Sequence, residues 1–197
     1  MSAFLGPIHY WLYNKIQLQE DFTQALLQSD TSLYQELDSL CGEAERRPLE
    51  EVIDTGNIHG WLQGQIIIVE SRFAVAVTRL LAKGFVDLAA LKAIAYDFGS
   101  ARPIQAATAP EVYKALQDLL LDGMPCDHVN QLEEQEDSHV TWNQAIDLHG
   151  PHWEKIEGEA ANYYELRTSL VSGMLKDSSF VFLKDGSHFA IEKKVLI

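Results

Sequence analysis

The strongest constraint in this chain is a stretch of fifteen residues that occurs twice, fifty positions apart. Gly6-Pro7-Ile8-His9-Tyr10-Trp11-Leu12-Tyr13-Asn14-Lys15-Ile16-Gln17-Leu18-Gln19-Glu20 aligns with Gly56-Asn57-Ile58-His59-Gly60-Trp61-Leu62-Gln63-Gly64-Gln65-Ile66-Ile67-Ile68-Val69-Glu70. Seven positions are identical: Gly, Ile, His, Trp, Leu, Ile and Glu. His and Trp are rare residue types, so the match points to a duplicated structural unit. At 3.6 residues per turn, the Ile, Trp, Leu and Ile of each copy form one apolar face. The repeat is therefore expected as two helices, 6–27 and 56–77.

The His and the Glu of one copy lie eleven residues apart, which is about three turns and roughly 16 Å along the axis. They share an azimuth but cannot bind one ion, so a site has to form between copies. With residues 32–46 as a return helix, the copies run parallel, which sets His9 level with His59 and Glu20 level with Glu70. Antiparallel copies would instead pair His9 with Glu70 and His59 with Glu20. Both histidines fall in the first turn of their helices, where the positive dipole end disfavours imidazolium. The neutral ring is the form a metal needs. The competing reading is a helix-start motif whose imidazole bonds a backbone carbonyl, with Glu20 and Glu70 in salt bridges and Trp11 and Trp61 in the core.

The rest of the chain reads as mainly α. Pro7 suits a first helical turn over 7–28. Leu33, Leu37 and Leu40 mark 32–46, and Asp54-Thr55-Gly56-Asn57 is an N-terminal cap for a helix over 58–82 that Lys83-Gly84 closes. Helices follow over 86–98, from Ala109-Pro110-Glu111 to about 121, over 129–148 and over 157–175. The 129–148 helix carries Leu132, Gln135, His139, Trp142, Ile146 and His149 at alternating spacings of three and four, and Gly150-Pro151 is expected to break it. Asp185-Gly186 between two short β-forming runs predicts a small β-hairpin at about 179–194. No low-complexity linker divides the chain, so residues 1–197 are read as a single compact domain, a helical bundle with a C-terminal hairpin.

Other chemistry is sparse. Glu136 and His139 form a Glu-x-x-His pair of the kind used in carboxylate-bridged di-metal bundles, but only one such pair occurs. His149 and His152 sit three apart across a Gly-Pro, a spacing that lets both reach one ion. Cys126, in a turn beside His128, is a candidate thiol ligand or nucleophile, with a small inert residue as the alternative. No phosphate-binding loop, nucleophile elbow or His-Glu-x-x-His helix is present.

Composition bounds the partners. Fifteen basic residues against 29 acidic ones give a net charge of −14, which repels phosphate backbones and anionic lipid headgroups. Nucleic acid and membrane are therefore not expected as partners. Two cysteines and no CxxC pair argue against a disulfide framework, and no apolar run is long enough to span a bilayer. A cytoplasmic protein is expected. The repeat favours a metal site, iron or zinc, with His9 and His59 as ligands, His149 or His152 as a third, and Glu20 and Glu70 as supporting carboxylates. The alternatives are a small-molecule-binding module whose pocket includes Trp11, Trp61, Tyr163 and Tyr164, and a helical assembly protein that forms a homo-oligomer through the repeat helices.

Overall fold

Two long helices that start from short caps organise the fold. A computed structural model describes residues 4–30, 32–84 and 86–194, with Ser29 described in its backbone alone. Helix α1 spans Pro7–Leu26 with Pro in its first turn. Helix α4 spans Ile58–Lys83. The Asn57 side chain caps its start, accepting from the Gly60 N–H at 3.1 Å, and Gly84 ends it at a positive φ of 69°. That left-handed conformation suits glycine because no Cβ crowds the following carbonyl. Between them lie α2, Ser32–Cys41, and the short α3, Leu49–Val52. Because α2 returns the chain, α1 and α4 run parallel: Tyr13 meets Trp61 at 5.9 Å between ring centroids, and Phe22 meets Phe73 at 5.3 Å two to three turns further on.

Helices α5, Leu88–Ser100, and α6, Ala109–Leu119, follow. Thr108 and Glu111 close a reciprocal capping box at the start of α6. Helix α7 is Gly150–Glu154 and α8 is Ala161–Met174. Four strands, β1 (Asn130–Glu136), β2 (His139–Gln144), β3 (Phe180–Asp185) and β4 (His188–Lys193), form one antiparallel sheet in the order β1-β2-β4-β3.

The hairpin expected at 179–194 forms as β3 and β4, but as half of a larger sheet. The other half corrects the sequence reading. Residues 129–148 are not a helix; they fold into β1 and β2, paired from Asn130↔Gln144 to Glu136↔His139. Spacings of three and four also contain alternation, and in β2 the alternation wins: Val140 and Trp142 are buried while His139, Thr141 and Asn143 are less so. Val140, Thr141 and Trp142 are good strand formers, and this was the signal available in the sequence. The acidic run lies on β1, where every residue after Asn130 is exposed. Charges on an edge strand discourage a further strand from pairing there. Glu136 and His139 therefore flank a hairpin turn instead of sharing a helix face. Gly150-Pro151 also does not break a helix; it starts α7, with Pro where an unpaired N–H would otherwise point.

Two buried clusters hold the structure. The larger joins Leu26, Leu37, Phe73, Leu80 and Leu91 of the helices to Val140, Trp142, Phe180, Phe189 and Ile191 of the sheet. The smaller lies under the N-terminal halves of α1 and α4, with Leu12, Ile16, Leu49, Ile58, Leu62, Ile66, Leu121 and Met124. It forms the floor on which the candidate site is built.

Candidate functional site

The sequence-selected residues do not gather in one place. His9 and His59 line one cleft of about 450 Å³ between the N-terminal ends of α1 and α4. Its apolar walls come from Ile8, Leu12, Ile58, Leu62, Met124 and Pro125, and Cys126 also lines it. The two histidines are held differently. His9 Nδ1 accepts the Gly6 N–H at 2.9 Å, which ties the ring to its own helix start. His59 is exposed, because Asn57 does the capping in α4. The helix-start reading thus describes His9, with an amide in place of the expected carbonyl.

The second place is a buried ionic network. Glu70 and His149 are 2% and 1% exposed. His149 Nδ1 lies 3.1 Å from both Glu70 oxygens, and Nε2 lies 3.4 Å from Asp122 Oδ1. Arg167 donates to both Asp122 oxygens at 2.7 and 2.8 Å and to the Tyr163 hydroxyl at 2.9 Å. Tyr163 stacks on the His149 ring at 3.9 Å, and Tyr164 stands edge-on to Tyr163 at 5.2 Å. Glu20 lies elsewhere, fully buried, with both oxygens accepting from Arg72 at 2.9 and 3.0 Å. Matching positions of the two repeat segments thus take unlike partners: Arg72 for Glu20 and His149 for Glu70.

His149 is set apart from His59 by helix geometry. Glu70, its partner, is eleven residues beyond His59 on α4, roughly 16 Å along the axis. His152 takes a third place, a cleft of about 540 Å³ that it shares with Ser71, Thr78 and Lys155. Its Nδ1 lies 3.0 Å from Ser71 Oγ. Burial lowers its pKa, with Glu70 opposing that shift. No described acid bonds the other ring nitrogen, so this Ser–His pair lacks the third, orienting member of a hydrolytic triad. Among the described residues, no group of three or more His, Cys, Asp or Glu side chains is arranged to hold a metal ion.

The aromatic set expected to line one pocket is divided as well. The Trp11 indole donates to Asp118 at 3.0 Å, and its ring lies along a second cleft, of about 260 Å³. Trp61 packs on Tyr13, while Tyr163 belongs to the network and Tyr164 donates to Asp147 at 2.8 Å. The residues the sequence did not single out are Asp122, Arg167 and Lys15. Nothing in their local pattern marks them, since Asp122 lies in a turn and the two basic residues sit in helices with ordinary spacing.

The network gives stability a defined pH dependence. Burial opposes the charge on His149, but the carboxylates of Glu70 and Asp122 prevail, so its pKa is raised from 6.5 to about 9. Lys15, buried beneath the second cleft, moves the other way: burial lowers its pKa from 10.5 to about 8, with Asp122 opposing. A raised histidine pKa stabilises the fold fully below pH 6.5, and this contribution is lost as pH rises through about 9. It amounts to about 3 kcal/mol. A lowered lysine pKa destabilises the fold below about 8, by a similar amount, and this cost is relieved as pH rises toward 10.5. Stability measured by urea unfolding is therefore expected to fall from pH 6.5 to about 8 and then level off to about 9. In Lys15→Met the fall continues to about pH 9. A wild-type curve that is flat from pH 6.5 to 8 rules out a charged His149 in the folded chain.

No helix of the described residues is long and apolar enough to cross a membrane. No protein-family model, curated protein or solved structure matches the chain.

Proposed function

We propose that the chain is a small-molecule-binding protein whose ligand occupies the cleft between the N-terminal ends of α1 and α4. The cleft itself is the observation that carries this reading. At about 450 Å³ it falls within the range typical of small-molecule sites, and it combines apolar walls with few polar groups, as such sites do. The buried cluster beneath it, with Leu12, Ile16, Leu62 and Met124, keeps the floor in place without a ligand. His9 and His59 supply polar contacts for orientation, one restrained by its hydrogen bond and the other free to adjust.

A neutral apolar dye, Nile red, tests the cleft. Wild type should bind it at one saturable site. His59→Trp, which places bulk at an exposed lining position, should weaken binding at least tenfold with an unchanged melting temperature. Equal binding by the two proteins would remove the proposal.

A second reading keeps the cleft and changes its occupant. His9, His59 and Cys126 all line it, and two imidazoles with a thiolate suit zinc better than a hard cation. Since these groups are not already set in ligand geometry, zinc binding requires the cleft to close on the ion. Elemental analysis after dialysis against zinc should then show stoichiometric metal that a His9→Ala/His59→Ala variant lacks. Protein that takes up no zinc defeats this second reading and leaves the first intact.

A further inference from the structure

Among the described residues of the network region, Lys15 carries a charge that meets no direct partner. Its side chain is 3% exposed, yet it makes no hydrogen bond and no ion pair among the described residues. Its Nζ lies 4.0 Å from the centre of the Trp11 ring, and the residue lines the 260 Å³ cleft. The charged groups that face it come from three other elements. Asp118 at the end of α6 is already bonded to Lys114 and to the Trp11 indole. Asp122, in the turn after α6, is bonded to Arg167 of α8 and to His149. His128 lines the same cleft from the turn before β1.

The charge count decides what is missing. Direct pairs join Asp122 to Arg167, Glu70 to His149 and Asp118 to Lys114, and Asp122 and Asp118 reach Lys15 only through space. Lys15 is left without a direct partner at the wall of a cleft. Leaving a buried ammonium without an acceptor is costly, and a ring face below it recovers only part of that cost. A single negative charge entering from the cleft would complete the set.

We propose that this second cleft binds a small organic carboxylate, held by the Lys15 ammonium between the aromatic walls of Trp11 and Tyr113. Four observations choose that class. Lys15 is a single buried ammonium without a direct partner, which suits one carboxylate. The walls include Trp11, Tyr113, Met124, Pro125 and Val129, which favours an organic body over an inorganic ion. The cleft lies just under the usual size for drug-sized ligands, and a net charge of −14 repels polyanions before they reach it. Gln117 also lines the cleft and offers an amide donor to the second carboxylate oxygen, whereas the Asn130 amide already donates to Asp122 at 3.3 Å. The lowered pKa of Lys15 makes the site pH-sensitive: above about 8 the amine is increasingly neutral, so carboxylate affinity should fall about tenfold per pH unit.

This cleft shares Met124 and Pro125 with the α1–α4 cleft but has its own anchor, so the two are tested separately. Calorimetric titration of the full chain with benzoate, and with benzyl alcohol as the neutral analogue, reads the charge contribution. At pH 7 benzoate should bind at least tenfold more tightly than benzyl alcohol, and the preference should vanish in Lys15→Met. His59→Trp should leave it unchanged. Should Lys15→Met fail to fold, the wild-type pH series decides: the benzoate preference must decline above pH 8 while benzyl alcohol binding stays level. Equal affinity for the two ligands at pH 7, absence of benzoate binding, or a benzoate preference that persists in a folded Lys15→Met would overturn the proposal.

Discussion

Arg72→Ala should lower the free energy of unfolding by about 3–5 kcal/mol, the cost of leaving a buried charge without its partner. Arg72 is fully buried and spends its guanidinium on four hydrogen bonds: two to Glu20, one to Asp38 at 2.6 Å and one to the Gly42 carbonyl at 2.9 Å. Its plane also lies 4.8 Å from the centre of the Tyr34 ring. Truncation strands Glu20, which is 0% exposed, without its guanidinium. The loss belongs to the orphaned carboxylate more than to the ion pair, because pairing two charges in the interior barely exceeds the cost of desolvating them. The double variant Glu20→Leu/Arg72→Met removes both charges and should therefore recover to within about 2 kcal/mol of wild type. Urea unfolding of the single and double variants measures both effects. A single-variant loss below about 1 kcal/mol would mean that Glu20 finds another partner.

The second large effect belongs to the crossing of α5 and α8. Gly99 and Gly173 let these helices approach backbone to backbone. A Cβ at Gly99 would stand 2.0 Å from the Leu170 carbonyl oxygen, and one at Gly173 would stand 2.1 Å from that of Tyr96. Neither obstacle is a side chain that can rotate away, so Gly99→Ala or Gly173→Ala must push the helices apart. The neighbours Leu91, Ala95, Leu166 and Leu170 are all core residues that lose packing when this happens. Each substitution should cost about 3 kcal/mol, at the upper end for overpacking. The pair should cost less than the sum, since one displacement relieves both clashes. Gly64→Ala in α4 provides the contrast. No atom lies within 4 Å of its added Cβ, and alanine is the better helix former, so this variant should gain about 0.5–1 kcal/mol. Thermal melts of the three variants would separate crowding from a general response to losing glycine.

These effects mark the difference between what holds the chain together and what it can bind. The Glu20–Arg72 pair and the glycine crossing serve the fold. The two clefts beside Met124 and Pro125 sit over a preformed apolar floor, and one of them contains an amine with no direct ion-pair partner among the described residues. The carboxylates expected to support a metal site are already bonded, Glu20 to Arg72 and Glu70 to His149. His149 stacks on Tyr163 inside the network, and His152 lies with Ser71 in a separate cleft.

Local and periodic features were legible in the sequence. The 3.6-residue pattern and the caps give α1 and α4, Asn57 and Gly84 bound α4 as their types require, and Asp185-Gly186 marks the β3–β4 hairpin. The parallel course of α1 and α4 follows from the return helix between them. Residues 129–148 read as a helix because spacings of three and four satisfy a helix face and leave strand alternation visible only in Val140-Thr141-Trp142. Burial against α6 and pairing with β4 decided between them. The partners of the repeated His and Glu lay beyond the sequence for a different reason. Periodicity assigns a side chain to a face, but which charge meets it there depends on elements fifty or more positions away, such as Arg72 for Glu20 and His149 for Glu70. The chain by itself determined the two helices and favoured their parallel course over the antiparallel one. Only the tertiary structure, by burying some charges in pairs and leaving Lys15 without one, decided which residues are free to meet a ligand.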